Sequence, residues 1–434
     1  MGYSLNPLFQ ESGACGSRCG FHPRKDRMNM THQNQMTIPE KQIPVLCDAD
    51  VVVAGGGTAG FAAAVSAARA GARVVIVEKS NLFGGLWTNG LVLRLYGTHA
   101  FLQGERKNYF GGVGKEVIDR LRDFHHGVRF FGEDDFEPTP DPEAAIHVMD
   151  QMVREEKITV LFNTYISGAV REGNAVTALI CDSKQGQFAL PARCFVDATG
   201  DCDILHAVSE ECVLVTRYNM GLNHILTGIR NIPEDVFCSV YSNTALMANP
   251  DTYWINMSGC KCDWTDLFAM SQLEMTHRDT MWEQLEQLRK AAASDAPYIS
   301  KSATQMGTRV TRLPQNDRTL SYACTEKQPH FSEPIGVSGW ANYERNYKNQ
   351  VPPYQIPYDV IRPESISNLW VAGRCVNADE VAADSLRLIP NCFITSQAAG
   401  AAAALCAANG WQNDTLPYGQ LEQLLRQQNV ILDY

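Results

Sequence analysis

The sequence predicts an α/β protein in which a central parallel sheet and an antiparallel β-meander form one domain, interleaved with a second, α+β domain. Residues 51–80 read as strand, glycine-rich turn, alanine-rich helix and strand. Residues 158–201 contain short apolar runs separated by turn residues, and 369–409 pair a short strand with a long helix. The intervening residues 202–364 are rich in aromatic clusters and prolines, which marks a different domain.

The first unit begins with the apolar run 51–54, which is typical of a strand buried on both faces of a parallel sheet. Gly55, Gly57 and Gly60 follow with the spacing GxGxxG. In this pattern the first glycine permits a tight turn, the second lets a pyrophosphate approach the backbone, and the third lets the helix pack on the strand.

A helix is predicted over 61–70, and Gly71 is placed to end it. The second strand, 74–77, runs into Glu78, which lies 18 residues after Gly60. An acid at this position accepts hydrogen bonds from a ribose 2′-hydroxyl and disfavours a 2′-phosphate. The complete order favours a Rossmann-type dinucleotide-binding unit over a glycine-rich turn of an unrelated α/β protein.

Later elements follow from turn and capping residues. Asp141 with Pro142 predicts a helix start, followed by a strand over 158–162 and three further short strands, of which the last covers 194–196. The glycines at 111–114 have the wrong spacing for a second dinucleotide motif and predict the start of a helix over 115–124. A polar helix is predicted near 276–293, a buried strand at 369–372, and a final helix from about Asn391 to Asn409.

Length, composition and charge narrow the class of protein. A chain of 434 residues suits two interleaved domains, and 45% hydrophobic with 20% charged residues describes a globular protein. The net charge of −11 argues against nucleic acid as a partner, and no apolar run reaches the length of a membrane span. Fourteen cysteines are dispersed without zinc or iron–sulfur spacing, so we expect no metal site. Without an apolar signal segment, we expect reduced thiols and a cytoplasmic location, and residues 1–45 read as a disordered leader or a mis-assigned start.

These pieces together resemble the FAD-dependent oxidoreductase family related to the fumarate-reductase and succinate-dehydrogenase flavoproteins, and more closely a bacterial branch of it. The resemblance rests on GGxxTxG after the second strand and on SxRxxPxC followed by QAAGxAAA, and it covers roughly 48–409. It implies tightly bound FAD. Relatives with covalent flavin attach it to a histidine near the second glycine motif, which FGGLWTNG lacks, so non-covalent FAD is expected. The histidines and arginines of fumarate reductases do not align with 202–362, so fumarate or succinate is not supported as substrate.

The resemblance also implies a division of the chain. The FAD-binding domain comprises 46–90, 141–201 and 365–410, the substrate or cap domain comprises 91–140 and 202–364, and 411–434 forms a C-terminal tail helix. Adenosine is expected on the glycine motif and Glu78, pyrophosphate at the first helix, and the flavin near the second glycine motif, with Arg387 and 391–399 beside the isoalloxazine. The implied cofactor-binding residues are Gly55, Gly57, Thr58, Ala59, Gly60, Glu78, Lys79, Gly84, Gly85, Thr88, Ala198, Thr199, Gly200, Gly373, Arg374 and Asn391.

Three residues are candidates for catalysis. Arg387, just before the last helix, either supplies a cation near the flavin or substrate carbonyl, or is structural, on the surface or paired with Asp384. His99 follows the flavin-side glycines, with a hydrogen-bonded loop histidine as the alternative. His224 lies in an apolar, strand-like run.

Two further features have an open interpretation. Arg309 and Arg312 either clamp an anionic group or form a solvated pair. The aromatic segment WANYERNY at 340–347 either stacks a ring or packs as an ordinary edge.

The sequence favours an enzyme that transfers a hydride between FAD and a small organic substrate of hydroxy, keto or enoyl type. The alternative is a flavin-binding electron-transfer subunit or scaffold without turnover of its own. Because no second GxGxxG is present, a nicotinamide domain is not expected, and electrons come from the substrate or from a separate donor or acceptor.

Overall fold

The computed structural model describes residues 38–132, 135–215, 219–257, 259–339 and 352–434. Most of the expected leader and the aromatic segment 340–347 lie outside the described residues. The strands are β1 Ala49–Ala54, β2 Val74–Val77, β3 His99–Leu102, β4 Glu105–Asn108, β5 Val128–Arg129, β6 Thr139–Pro140, β7 Thr159–Leu161, β8 Tyr165–Glu172, β9 Ala175–Ser183, β10 Gly186–Asp197, β11 Cys212–Leu214, β12 Asn219–Met220, β13 His224–Thr227, β14 Thr244–Leu246, β15 Thr252–Ile255, β16 Cys260–Lys261, β17 Tyr298–Ser302, β18 Arg312–Pro314, β19 Pro334–Ser338, β20 Tyr354–Pro357 and β21 Leu369–Val371. The helices are α1 Thr58–Arg69, α2 Gly112–Leu121, α3 Pro142–Glu155, α4 Asp203–Val208, α5 Glu234–Val240, α6 Leu267–Ala292, α7 Tyr322–Thr325, α8 Glu380–Leu386, α9 Ile389–Asn409 and α10 Tyr418–Gln427, with 3₁₀ turns at Tyr358–Ile361 and Gly373–Cys375.

The central sheet confirms the predicted α/β class. Its strands run in the order β7, β2, β1, β10, β9, β8, and β21 pairs with β10. The pairs β7–β2, β2–β1, β1–β10 and β10–β21 are parallel, whereas β8, β9 and the first half of β10 form the antiparallel meander. Strand β2 has the predicted bounds, and β1 is fully apolar from Val51 onward because both faces of the sheet are covered.

Strand β10 joins the parallel sheet to the meander. Its first residues pair antiparallel with β9, up to Pro191, and its last residues pair parallel with β1, from Ala192 to Asp197. The prediction of short strands was therefore wrong here, because one strand of 12 residues serves two neighbours in succession. This continuity places the turn after Asp197 beside the turn after β1.

Helices α1 and α9 cover one face of the sheet. They approach closely because their contact residues are small: a methyl group on Gly400 would lie 2.0 Å from the carbonyl oxygen of Ala63. The Ser66 hydroxyl donates to the backbone oxygen of Gln397 at 2.7 Å, so the polar atom at this contact is paired. The opposite face is covered by apolar residues of the meander, α4 and the 3₁₀ turn that contains Cys375.

Within the described ranges, α9 is the one helix long and apolar enough to cross a membrane, with a mean hydropathy of 1.2. Of its apolar stretch, 89% is buried inside the protein. This burial is what the core helix of a globular domain shows, and it explains the dense run of alanines.

The expected second domain contains an antiparallel sheet in the order β14, β15, β13, β17, packed by α5 and α6. Helix α6 begins at Leu267, well before the predicted start near 276, and the Asp266 side chain caps it by accepting a hydrogen bond from Ala269 N at 3.0 Å. Leu267 and Phe268 are exposed, so the start of this helix lacks the apolar periodicity that predicts a buried face.

The tail after α9 packs on the first domain. The Gln428 side chain donates to the Ser66 backbone oxygen at 3.0 Å, and Gln397 donates to the Gln428 backbone oxygen at 3.1 Å. Helix α10 is thereby held against α1 and α9. No disulfide joins the cysteines of the described ranges.

Candidate active site

A groove opens where the carboxyl ends of β1, β2, β7 and β10 meet the start of α1. Ligands of open α/β sheets bind at this edge. The groove has a volume of about 950 Å³, including the part open to solvent. Its lining residues are Gly55, Gly57, Thr58, Ala59, Val77, Glu78, Lys79, Gly85, Leu86, Trp87, Thr164, Tyr165, Ile166, Ala198, Thr199, Gly200, Asp203, Gln305, Arg374, Arg387, Ile389 and Cys392.

The glycine turn has the geometry that its spacing predicts. Gly55 has a φ of +95°, and a side chain there would clash with the Ala198 carbonyl oxygen at 2.5 Å. A methyl group on Gly60 would lie 1.7 Å from the Gly55 carbonyl oxygen, so this glycine packs α1 against the turn and does not line the groove. Beside Gly57, in contrast, a methyl group would meet only Gly85 Cα, at 3.8 Å, which leaves backbone open toward the groove.

The start of α1 has no capping side chain. Its N-cap is Gly57, which offers no side-chain hydrogen bond, and the first turn contains no acidic residue. The free N–H groups and the helix dipole therefore favour an anion at Thr58 and Ala59, both of which line the groove.

Glu78 lies at one end of the groove, which we call the Glu78 end. Its side chain is buried, at 6% exposure, and accepts hydrogen bonds from Gly56 N at 2.5 Å and from Ser80 N at 2.7 Å. These two bonds fix the carboxylate while leaving lone pairs on both oxygens for a ligand hydroxyl. Lys79 and Asp203 also line the groove; burial, together with Asp201, raises the pKa of Asp203, and Arg312 and Lys79 offset part of this rise.

The DATGD turn after β10 forms the wall of the groove opposite α1. The fully buried Asp197 carboxylate accepts hydrogen bonds from Thr199 and from the backbone of Ile204 and Leu205, which fixes the turn; burial raises the pKa of Asp197 to about 6.

Arg374 is clamped against this turn. Its guanidinium pairs with Asp201 at 3.0 Å and donates to the Thr308 hydroxyl at 3.0 Å. It also lies so close to Gly200 that a methyl group there would be 2.6 Å from Nη2. Arg374 thus presents a fixed positive charge along the groove.

Arg387 lines the other end of the groove, which we call the Arg387 end. Its side chain, 12% exposed, pairs with Asp384 at 3.1 Å, as the structural alternative expects, and it also lines the groove; its role as a cation beside the flavin stays a prediction. Helix α9 starts immediately after it, with no side-chain cap and no acid in its first turn. Burial raises the pKa of the nearby Cys392 to about 12, so this lining residue is a neutral thiol.

Four other predicted cofactor residues stand behind the lining and shape it. The Thr88 hydroxyl donates to the Phe83 carbonyl oxygen at 2.5 Å and packs on Gly84. Gly373 N donates to the Thr395 hydroxyl at 3.2 Å. The Asn391 side chain donates to Ser338 and to the Ser385 backbone oxygen, both at 2.9 Å.

The two histidine candidates lie away from the groove lining. His99 is buried on β3, with Nδ1 2.8 Å from the Thr98 hydroxyl and its ring edge-on to Phe136. His224 is fully buried on β13 near Tyr241, with a ring-centroid distance of 6.1 Å.

Sequence reasoning missed several lining residues. Gln305 comes from the expected second domain, Thr164 from the turn between β7 and β8, Tyr165 and Ile166 from the start of β8, and Ile389 from the first turn of α9. Trp87 lies inside the quoted GGLWTNG segment, and only its position in that motif could have singled it out. Arg312, weighed earlier as an anion clamp, pairs with Asp203 at 3.0 Å.

The fold and the groove together define a dinucleotide-binding protein of the Rossmann type. Residues 50–220 and 226–425, most of the chain, match the family described as FAD dependent oxidoreductase. The chain belongs to this family and is a FAD-dependent oxidoreductase.

Individual relatives are distant. The urocanate reductase of Eggerthella lenta is 43% identical over 53 residues, which make up 12% of this chain and 9% of that enzyme. This match therefore spans less than a tenth of the relative. Among solved structures, a geranylgeranyl bacteriochlorophyll reductase-like protein from Thermoplasma acidophilum shows 13% identity and a TM-score of 0.44, over 88% of this chain and 84% of that one. The p-nitrophenol 4-monooxygenase PnpA of Pseudomonas putida DLL-E4 shows 13% identity and a TM-score of 0.46, over 88% and 89%.

The residues of the groove fit FAD. The uncapped start of α1 suits a pyrophosphate, and the fixed Glu78 carboxylate suits ribose hydroxyls.

Proposed function

We propose that the protein transfers a hydride between non-covalently bound FAD and a small organic substrate of hydroxy, keto or enoyl type. FAD, when bound, supplies the site that accepts or gives up the hydride. The proposal depends on one observation: Arg387 and the uncapped start of α9 lie together at one end of the groove.

The role proposed for Arg387 follows from electrostatics. A flavin ring gains negative charge when it is reduced, and positive groups fixed beside it before the reaction stabilise that charge. Arg387 is held in place by Asp384, and the dipole of the 21-residue helix α9 points its positive end in the same direction. The neighbouring Cys392 thiol stays neutral and adds no opposing charge.

The adenosine would lie at the Glu78 end, the pyrophosphate on the start of α1, and the isoalloxazine at the Arg387 end. The substrate would approach from the second domain, from which Gln305 reaches the groove. A separate electron donor or acceptor would complete the cycle.

The test is Arg387→Ala in the FAD-loaded protein. We expect FAD to stay bound, the midpoint potential of the flavin to become more negative, and turnover to fall by about a hundredfold or more, the effect of losing one preorganised charge-stabilising donor. Arg387→Lys should recover part of the loss, because a point charge replaces part of the field but not the planar set of donors. Substrates are first found by anaerobic titration with hydroxy, keto and enoyl compounds while flavin bleaching is recorded.

The chain offers a matched control. Arg362 also pairs with an aspartate three residues earlier, Asp359, and its side chain is 14% exposed, but it does not line the groove. Arg362→Ala should leave the flavin potential unchanged. A normal potential and normal rate in Arg387→Ala would make Arg387 structural, and a flavin that no compound in the panel reduces or reoxidises would favour an electron-transfer subunit.

A further inference from the structure

Helix α6 is apolar on two faces. Its inner face packs into the expected second domain through buried residues that include Met281, Leu285 and Leu288. Four large apolar side chains of the same helix are instead 51% to 73% exposed: Leu267, Phe268, Met275 and Trp282. Among the described residues, no other helix exposes more than one such side chain. Large exposed apolar patches mark interaction sites, and the fold of the chain leaves this one uncovered.

Three of these side chains form a line along the helix, which we call the α6 stripe: Phe268, Met275 and Trp282. They are spaced by seven residues, about 20° short of two full turns, so they lie within about 40° of one another around the helix axis. With a rise of about 1.5 Å per residue, the stripe is about 21 Å long. A seven-residue apolar repeat is the pattern by which two helices pack along their lengths.

The size of the patch fits a pair of chains. An aromatic side chain presents about 200 Å² when it is fully exposed, so the exposed fractions of the four residues amount to roughly 400 Å² per chain. Two chains would thus bury roughly 800 Å² of apolar surface. Exposed polar side chains beside the stripe, Ser271, Gln272 and Arg278, raise the total toward the about 1,200 Å² at which stable interfaces begin.

We infer that α6 packs against α6 of a second copy of the chain, antiparallel and about a two-fold axis that passes near Met275. In this arrangement Phe268 contacts Trp282 of the partner subunit, and Met275 contacts Met275 of the partner subunit. Each subunit contributes the same patch, as a two-fold interface requires. The two aromatic pairs add to the energy of the buried area.

Charge beside the stripe favours the antiparallel direction. Asp279 is exposed on the edge of the stripe, between Met275 and Trp282. In a parallel pair it would lie beside Asp279 of the partner subunit, and the two like charges would repel each other. In the antiparallel pair it lies opposite the uncharged Ser271 of the partner subunit.

A membrane surface fits this face less well than a second copy does. Helices that lie on membranes carry surplus Lys and Arg beside their apolar stripe. On α6, Arg278 is paired with Glu274 at 3.0 Å and Arg289 is paired with Glu286 at 2.8 Å, so both guanidinium groups are neutralised. The remaining exposed charges of the helix are two acidic and one basic: Asp279, Glu283 and Lys290.

The test measures the mass of the FAD-loaded full-length chain by analytical ultracentrifugation over a range of concentrations. We expect wild type to sediment as a dimer. Phe268→Glu and Trp282→Lys each place a charge against an apolar side chain of the partner, so each should raise the Kd of the dimer about a hundredfold or more. The double variant Phe268→Glu/Trp282→Lys should dimerise again, because the antiparallel pair sets each introduced carboxylate opposite an introduced ammonium group.

Val170→Glu is the matched control. Val170 is exposed on β8 of the first domain, so the Kd of the dimer should stay unchanged in this variant. All variants should keep their FAD content and circular dichroism spectrum, since every substituted side chain is exposed.

Three outcomes would overturn the inference. A wild-type chain that stays monomeric at its highest soluble concentration would leave the patch to another occupant, such as residues 1–37 or a different protein. A dimer that both single variants preserve would place the interface on another face. A double variant that stays monomeric would refute the antiparallel arrangement.

Discussion

We expect His224 to make the free energy of unfolding of the protein depend on pH. Its side chain is fully buried on β13, and neither ring nitrogen forms a hydrogen bond of normal geometry within the described residues. Burial lowers the pKa of His224 from 6.5 to about 4, and the backbone of Leu222 offsets this only in part. Between these two pH values the unfolded chain binds a proton that the folded chain rejects, so the free energy of unfolding falls as pH decreases.

The size of the effect follows from the two pKa values. One pKa unit corresponds to about 1.4 kcal/mol, so the folded state loses about 2 kcal/mol by pH 5 and about 3 kcal/mol by pH 4 relative to pH 8. His224→Phe removes this titration while keeping an aromatic ring near Tyr241. We therefore expect the difference in unfolding free energy between wild type and His224→Phe to change by these amounts, in favour of the variant at low pH.

The assay is urea unfolding followed by intrinsic fluorescence at several pH values between 4 and 8. Tyr241→Phe is the control, because it changes the same packing contact without removing the histidine. A difference between wild type and His224→Phe that stays constant with pH would refute the assignment of a neutral, buried imidazole. Loss of turnover in the folded variant would instead support the catalytic role that the sequence suggested for His224.

Two further outcomes concern the cofactor. Glu78→Gln should raise the Kd for FAD about tenfold, because the amide loses the charge and one of the two acceptors that hold Gly56 N and Ser80 N, and equilibrium dialysis measures this; an unchanged Kd would place the ribose elsewhere. NADH and NADPH should reduce the flavin slowly or not at all in anaerobic stopped-flow experiments, since the one GxGxxG unit holds FAD, and fast bleaching by either nucleotide would contradict this.

The sequence predicted best those secondary-structure elements that depend on interactions between residues close to each other in the chain. Strand β2 kept its bounds, and Asp141 caps α3 through Glu143 N and Ala144 N as its position before Pro142 indicates. Both rest on a few consecutive residues. The first turn of α6 was missed because its exposed Leu267 and Phe268 do not follow the apolar period of a buried face.

The parts of the site that escaped prediction depend on contacts between distant segments. The pair of Asp201 with Arg374 joins the ends of two strands that neighbour each other only in the folded sheet. Likewise, the unpaired N–H of Trp87 is visible only once every neighbouring acceptor has been placed. Motif spacing predicts which part of the backbone approaches a ligand, but it does not predict which side chains form hydrogen bonds or ion pairs with one another.

The groove combines both signs of charge in a chain whose net charge is −11. Glu78 and Asp203 line it together with Arg374 and Arg387, each of which is paired with an aspartate, and the uncapped starts of α1 and α9 add the positive ends of two helix dipoles. FAD presents negative charge at its pyrophosphate, and its ring gains negative charge on reduction, so each helix start faces one of these two charges in the proposed orientation. The two helices pack on each other through contacts such as Gly400 on Ala63, where a single added methyl group would clash. The small residues that fill the core therefore also fix the positions of both positive ends, and in this way the alanine-rich sequence of α9 is tied to the chemistry proposed for the groove.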